Sequence, residues 1–351
     1  MRRIILALLL ALLAAQTALG DTQARYWTVS HRAQSAMEAR VASWNEAHPQ
    51  ERIDLITSVF SGDQIDLKLW TALHSGVLVP GLEPPDLADI DYICFEKYVN
   101  PLNCLLYPLG DSKDDPFAYR GMLFGMAQGG CEVRCVYDAA LLANAGVLPE
   151  SIDSWADFEG AGRALYAATG KPMLGVDMDG YLVFLTAAAR LGAPGFEMND
   201  TLYGETLTTL ARLFDEGVLT MMPGGREDSK TFRRAFRNGE IGCALVRSEW
   251  ITEFGEEIGA GKVVYPLPEG AISIPGYATA ITTSCADYDL LSRFLRWENA
   301  SGAALPEGAI SPGNAQSLVS YVERYELELA RRVLKPCDMR RYRQKVQQDS
   351  A

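Results

Sequence analysis

The sequence predicts an α/β chain folded into two lobes, and three observations carry that expectation. Strand-like and helix-like runs alternate along the chain, with no repeat and no low-complexity linker. The N-terminal part reads β-α-β-α-β, a succession that makes parallel strands and sets ligands at their carboxyl ends. The 351 residues, 48% of them drawn from AVILMFWYC, suffice for one large or two smaller cores, and a chain of this length favours two lobes over one core.

The elements follow in order. Tyr26 to Val29 is a strand, and the helix after it carries Met37, Val41 and Trp44 on one face, with Ser35 to Glu38 as a capping box and an end near His48-Pro49. A second strand, Ile53 to Phe60, leads through Ser61-Gly62-Asp63 into a helix with Leu67, Leu69, Trp70 and Leu73, closed by Gly76. Pro84-Pro85-Asp86 then introduces the short strand Leu87 to Ile90, so the loops at Ser30 to Arg32, Ser61 to Asp63 and Asp91-Tyr92 share one rim. After Gly129 a second set begins. It has strands at Cys135 to Tyr137, Met173 to Val176, Ile241 to Val246 and Lys262 to Leu267, with helices at Tyr181 to Leu191 and Thr206 to Phe214.

Residues 1 to 20 are different in kind. Arg2 and Arg3 precede a run of roughly 12 apolar residues from Ile4 to Ala15, shorter than the about 20 needed to cross a bilayer, and Ala18-Leu19-Gly20 supplies small residues before Asp21. This is the pattern of a secretory signal peptide cut before Asp21. Asp21 stands where a lipoprotein signal carries Cys, so the expected mature chain is exported and free of lipid.

Charge argues against a nucleic-acid surface: 45 acidic residues stand against 32 basic, a net of −13. The last 21 residues run the other way, with Arg331, Arg332, Lys335, Arg340, Arg341, Arg343 and Lys345 against Asp338 and Asp349, a solvated basic tail. All seven cysteines (94, 104, 131, 135, 243, 285 and 337) lie in the exported part, where disulfides are chemically permitted, and the odd count leaves at least one thiol unpaired or bonded to another molecule. Cys243, in the apolar run Ile241 to Val246, reads as a packed small hydrophobe, and Cys131 and Cys135 have no partners to complete a zinc tetrahedron.

Enzyme signatures are absent: there is no Gly-x-Ser-x-Gly, His-Glu-x-x-His, Walker loop or strand-linked Gly-x-Gly-x-x-Gly. Gly160-Ala161-Gly162 sits inside a helical pattern and reads as a packing feature. Of three histidines, His48 and His74 read as structural, whereas His31 follows a strand on the ligand rim. Paired carboxylates for glycoside hydrolysis stay open as an alternative in so acidic a chain.

The ordered segments resemble the extracellular solute-binding proteins of ABC importers, in the sugar and maltodextrin-binding branch. The resemblance runs through Tyr26-Trp27-Thr28-Val29, Val41 to Pro49, Pro85 to Asp91, Arg120 to Met126, Val136 to Leu142, Ala145-Gly146-Val147 and Ser154 to Phe158. It continues through Phe236 to Leu245 with Trp250, Val264 to Pro268, and Phe294 to Trp297, so the order over about 300 residues carries it. Asp138 stands where the family has Asn, and Ala127 where Pro is common.

The resemblance implies a two-lobed periplasmic-binding-protein-like fold (type II), each lobe a sheet flanked by helices, joined by crossover strands at a hinge and closing over ligand held in the cleft. It implies an N-terminal lobe of 21–128 plus 279–306 and a C-terminal lobe of 129–278 plus 307–351, with crossovers near Met126 to Gly130, Pro275 to Thr279 and Pro306 to Ile310. It also implies a monomeric, non-enzymatic receptor with no cofactor and no metal, in the periplasm or outside the cell, delivering a carbohydrate to a membrane permease pair. Sugars present flat C–H faces and rings of hydroxyls, so their sites need aromatic platforms and planar polar groups. On that basis the candidates are His31, Arg32, Asp63, Asp91, Tyr92, Gln128, Asp179, Tyr181, Trp250, Tyr277 and Tyr321. A polyamine, a polyol or a phosphorylated polyol is the alternative ligand. A ferric ion is disfavoured for want of a clustered Tyr pair with His.

Overall fold

The computed structural model describes residues 21–60, 62–74, 83–102, 104–113, 115–128, 130–176, 200–222, 230–251, 254–255, 261–269 and 272–298. The predicted signal peptide, the helix at 181–191, the third crossover at 306–310 and the basic tail lie outside them. The chain divides into two compact units: one runs to Gln128 and resumes over Tyr277–Ala303, and the other takes Gly129–Gly276 and Ala304–Ala351.

Unit 1 is built on a five-stranded sheet in the order β2-β1-β3-β14-β7. Strands β1 (Thr22–Thr28), β2 (Ile53–Val59) and β3 (Leu87–Asp91) are parallel, with Thr22 opposite Ile53 and Tyr26 opposite Leu87. The expected parallel sheet holds for these three and no further. Strand β14 (Tyr277–Ile281) lies antiparallel between β3 and β7 (Gly125–Ala127), so the whole is mixed.

Helix α1 (His31–Ala47) joins β1 to β2 and buries Met37, Val41 and Trp44. The cap falls earlier than the Ser35 to Glu38 pattern suggested. Ser30, in extended backbone, accepts from Ala33 N with its hydroxyl at 3.0 Å and starts the helix directly at the strand end. Trp44 then stacks on His48, ring centroids 3.7 Å apart, and donates its indole N–H to Glu51 O, which fixes the return into β2.

Helix α2 (Gly62–His74) joins β2 to β3, and the short α3 (Phe95–Val99) follows β3. A small sheet of β4 (Gly110–Asp111), β5 (Ala118–Tyr119) and β6 (Met122–Leu123) turns through Arg120 and Gly121, both at positive φ (51° and 82°). That geometry belongs to a two-residue hairpin, and Gly121 meets it without strain.

Unit 2 centres on β8 (Gly130–Asp138), which pairs antiparallel with β11 (Cys243–Arg247), β12 (Lys262–Pro266) and β13 (Ser273–Pro275). On the far side of β11, β9 (Leu174–Val176) and β10 (Leu219–Met221) run parallel to it. The helices are α4 (Ala139–Ala143), α5 (Trp155–Thr169), α6 (Asp200–Asp215) and α7 (Lys230–Arg237). In unit 1, α8 (Tyr288–Glu298) follows β14 and presses Leu290, Leu291, Phe294 and Leu295 into the core that holds Met37, Val41 and Trp44.

Three local features of unit 2 follow from sequence. Ser154 and Asp157 form a capping box at the start of α5, which closes on Gly170 at φ 69°. Gly162 is the packing glycine: a Cβ there would lie 2.5 Å from Val218 Cγ1, whereas one at Gly160 would meet nothing within 4 Å.

The third feature is Asp138, the departure from the family pattern. Its Oδ1 accepts from Leu141 N at 3.0 Å and caps α4, while its Oδ2 is ion-paired with the buried Lys262 ammonium. The ammonium also donates to Phe236 O at 3.2 Å and lies over the Phe236 ring. Cys243 is fully buried, as its apolar run predicts, and Cys104, Cys135, Cys243 and Cys285 are not in disulfides.

Candidate functional site

Topology alone places a rim on unit 1. Strands β1, β2, β3 and β7 share a direction, so their carboxyl ends meet along one edge, and antiparallel β14 begins there. His31 and Arg32 sit in the first turn of α1 directly after β1, both exposed, and His31 Nδ1 lies 3.1 Å from Gln34 Oε1. Asp63 is the second residue of α2. Asp91 ends β3 directly opposite Tyr277, which starts β14, and Tyr92 follows. Gln128 N donates to Tyr277 O at 2.9 Å. Six of the seven candidates from this unit (His31, Arg32, Asp91, Tyr92, Gln128 and Tyr277), together with the backbone of Asp63, therefore lie along one edge.

The edge is graded. His31, Arg32 and Gln128 are exposed, while Asp91, Tyr92 and Tyr277 are buried beneath it. Tyr92 packs edge-on to Phe117, ring centroids 5.7 Å apart, and burial with the nearby Glu96 carboxylate pushes its hydroxyl well above the ordinary range.

Below the rim is a group the sequence reading did not single out. The Asp89 carboxylate, in the middle of β3, is 1% exposed and accepts four hydrogen bonds. Tyr26 Oη (2.7 Å) and Thr28 Oγ1 (2.6 Å) donate to Oδ2, and Gln128 Nε2 (2.5 Å) and Thr279 Oγ1 (3.1 Å) donate to Oδ1. Burial raises its pKa from 3.8 to about 6 against the lowering effect of those donors. The readable signal was the pair of acids in Leu87-Ala88-Asp89-Ile90-Asp91, a strand every residue of which is buried.

In unit 2, Trp250 closes the turn Ser248–Trp250 after β11. Its ring is 3% exposed, the buried Arg233 guanidinium lies 5.3 Å from it, and the indole Nε1 has no hydrogen-bond partner among the described residues. Asp179, Tyr181 and Tyr321 lie outside the described residues. No group of three or more His, Cys, Asp or Glu among the described residues could hold a metal, and no helix among them is long and apolar enough to cross a membrane.

The fold is that of the type II solute-binding proteins of ABC importers. A solute-binding protein of Thermotoga lettingae, solved with α-D-tagatose, matches over 92% of this chain and 97% of its own, at TM-score 0.59 and 16% identity. In sequence the chain is similar to the arabinooligosaccharide-binding protein of Halalkalibacterium halodurans, 26% identical over 311 residues, covering 81% of this chain and 69% of the relative. The protein of the same name from Bacillus subtilis is 25% identical over 309 residues, covering 80% and 70%. No protein-family model matches the chain.

Proposed function

We propose that this chain is an extracytoplasmic receptor that captures a carbohydrate, with arabino-oligosaccharides as the first class to test, and delivers it to the permease of an ABC importer. The similarity to the arabinooligosaccharide-binding proteins carries the reading, because it extends through both units and not one motif.

The rim of unit 1 supports it chemically. Arg32 supplies planar donors and Gln128 a carboxamide, over Tyr92 and Tyr277, whose rings are buried beneath the edge. His31, Asp63, Asp91 and, from unit 2, Trp250 complete the proposed site with Asp179, Tyr181 and Tyr321. The receptor acts as a monomer without turnover, cofactor or metal. It is exported by a signal peptide cleaved before Asp21, and its lobes, expected at 21–128 plus 279–306 and 129–278 plus 307–351, have their second boundary drawn instead at Tyr277, where β14 enters the sheet of unit 1.

Thermal-shift and calorimetric titration against arabinobiose, arabinotriose, maltodextrins, polyols and polyamines tests this. A ligand that binds only the folded state adds about 2.7 kcal/mol at a hundred times Kd. An arabino-oligosaccharide should raise Tm and be recovered intact. A shift with polyamine alone, or the release of monosaccharide, would overturn the reading.

A further inference from the structure

The Asp89 network has a chemical direction. An ionised carboxylate only accepts, so the Gln128 group facing it at 2.5 Å must be the NH2, which also donates to Thr279 Oγ1 at 3.0 Å. The carboxamide is planar, so holding its NH2 on Asp89 and Thr279 turns its carbonyl oxygen away from both, in a residue that is exposed as a whole. The same carboxylate holds Thr279, two residues after the chain re-enters unit 1, while Gln128 is the last residue before it leaves.

We propose that Asp89 is a positioning residue for ligand binding, holding the Gln128 carbonyl toward the rim as an acceptor for a ligand hydroxyl and tying both connecting strands to β3. The claim about ligand rests on the carbohydrate-receptor reading; the claim about Gln128 does not.

The environment makes the device sensitive to pH. Tyr26, on β1, is the one titratable side chain bonded to Asp89; its other partners, Thr28, Thr279 and Gln128, are neutral. Asp91 lies two residues along the same face of β3. Helix α1 carries His31, Arg32, Glu38, Arg40 and Glu46, and α8 carries Asp289, Arg293, Arg296 and Glu298. None of the described ones forms an ion pair with Asp89. Burial without a countercharge favours the protonated acid, with a pKa of about 6. The protonated acid must itself donate; the Tyr26, Thr28 and Thr279 hydroxyls can turn to accept, whereas the Gln128 NH2 cannot, so a proton on Oδ1 frees the Gln128 amide to turn.

The test uses the full mature chain labelled with 15N in its glutamine side chains, the Gln128 signals being assigned by their loss in Gln128→Ala. Expected are Gln128 side-chain amide signals displaced from exposed-glutamine positions at pH 7.5 and titrating near pH 6, and loss of that titration in Asp89→Asn. Affinity for arabinotriose should fall severalfold from pH 7.5 to pH 5 in the wild type and vary little in Asp89→Asn.

A Gln128 signal that sits at the exposed position and does not titrate in the folded wild type overturns the proposal. So does a pH dependence of affinity that survives in Asp89→Asn. The wild-type titration decides the orientation even where Asp89→Asn fails to fold. If arabinotriose binds at neither pH while Gln128 titrates, the choice of sugar fails and the positioning of Gln128 stands.

Discussion

Asp138 and Lys262 offer the sharpest test of how unit 2 is held together. Their side chains are 8% and 9% exposed, so each charge depends on the other for its solvation. Lys262→Met leaves the carboxylate buried with one backbone N–H, from Leu141, which places the loss at about 3 to 5 kcal/mol. Asp138→Asn is milder. Asn is as good an N-cap as Asp, so the α4 cap survives, and the stranded ammonium keeps Phe236 O and the Phe236 ring at 4.7 Å. The expected cost is about 2 to 3 kcal/mol.

The double variant removes both charges and should return to within about 1 kcal/mol of wild type, giving a coupling energy above about 3 kcal/mol. Equilibrium urea unfolding of the four proteins, followed by circular dichroism, reads these differences as shifts in midpoint at constant slope. Single variants that each cost under about 1 kcal/mol, as an exposed pair would, refute the reasoning. So does a double variant that loses the sum of the two.

Other substitutions probe separate links. Gly162→Ala should cost about 1 to 3 kcal/mol despite its better helix propensity, and adding Val218→Ala should recover part of the lost Tm, because Val218 Cγ1 would lie 2.5 Å from the new methyl. Gly160→Ala, two residues away in open space, should raise Tm by gaining up to about 1 kcal/mol. Ser154→Ala removes the acceptor for Asp157 N and should cost about 1 kcal/mol in thermal unfolding. Asp89 has its folded pKa raised from 3.8 to about 6, so its stabilising contribution is complete below about pH 4 and lost as pH rises through 6. Between pH 4 and pH 7 the wild type should therefore lose about 2.4 kcal/mol relative to Asp89→Asn in urea unfolding.

Local chemistry was readable and long-range pairing was not. The face of Met37, Val41 and Trp44, the strand Ile53–Val59 and the end of α1 at His48 follow from spacing within a few residues. The start of α1 was misplaced because the apolar period begins at Met37, whereas the cap acts through Ser30, one turn and more ahead of any buried residue. The antiparallel β8 between β11 and β12 depends on partners over a hundred residues away, and nothing in Val133 to Tyr137 encodes direction.

The same limit hid part of the site. Loop positions after strands put His31, Arg32 and Asp91 on the rim of unit 1, but the hydrogen bonds of Asp89 come from Tyr26, Gln128 and Thr279, which only the folded sheet brings together. Asp138 was visible as a departure from the family, and its reason, Lys262, appears only once β12 lies against β8.

The position of β14 bears on how the chain is made. Unit 1 cannot complete its sheet from its own first half: β14 sits between β3 and β7 and is translated after the whole of β8 to β13. Until then the edge of β3 toward β14 has no partner within the sheet, and Asp89 lacks Thr279. Strands β8 to β13 need nothing that comes later for their own pairing. The second unit also takes residues 304–351, so neither unit is complete until the chain is nearly finished, and a released fragment ending at Gly276 should be cut by protease faster than the full chain in both units.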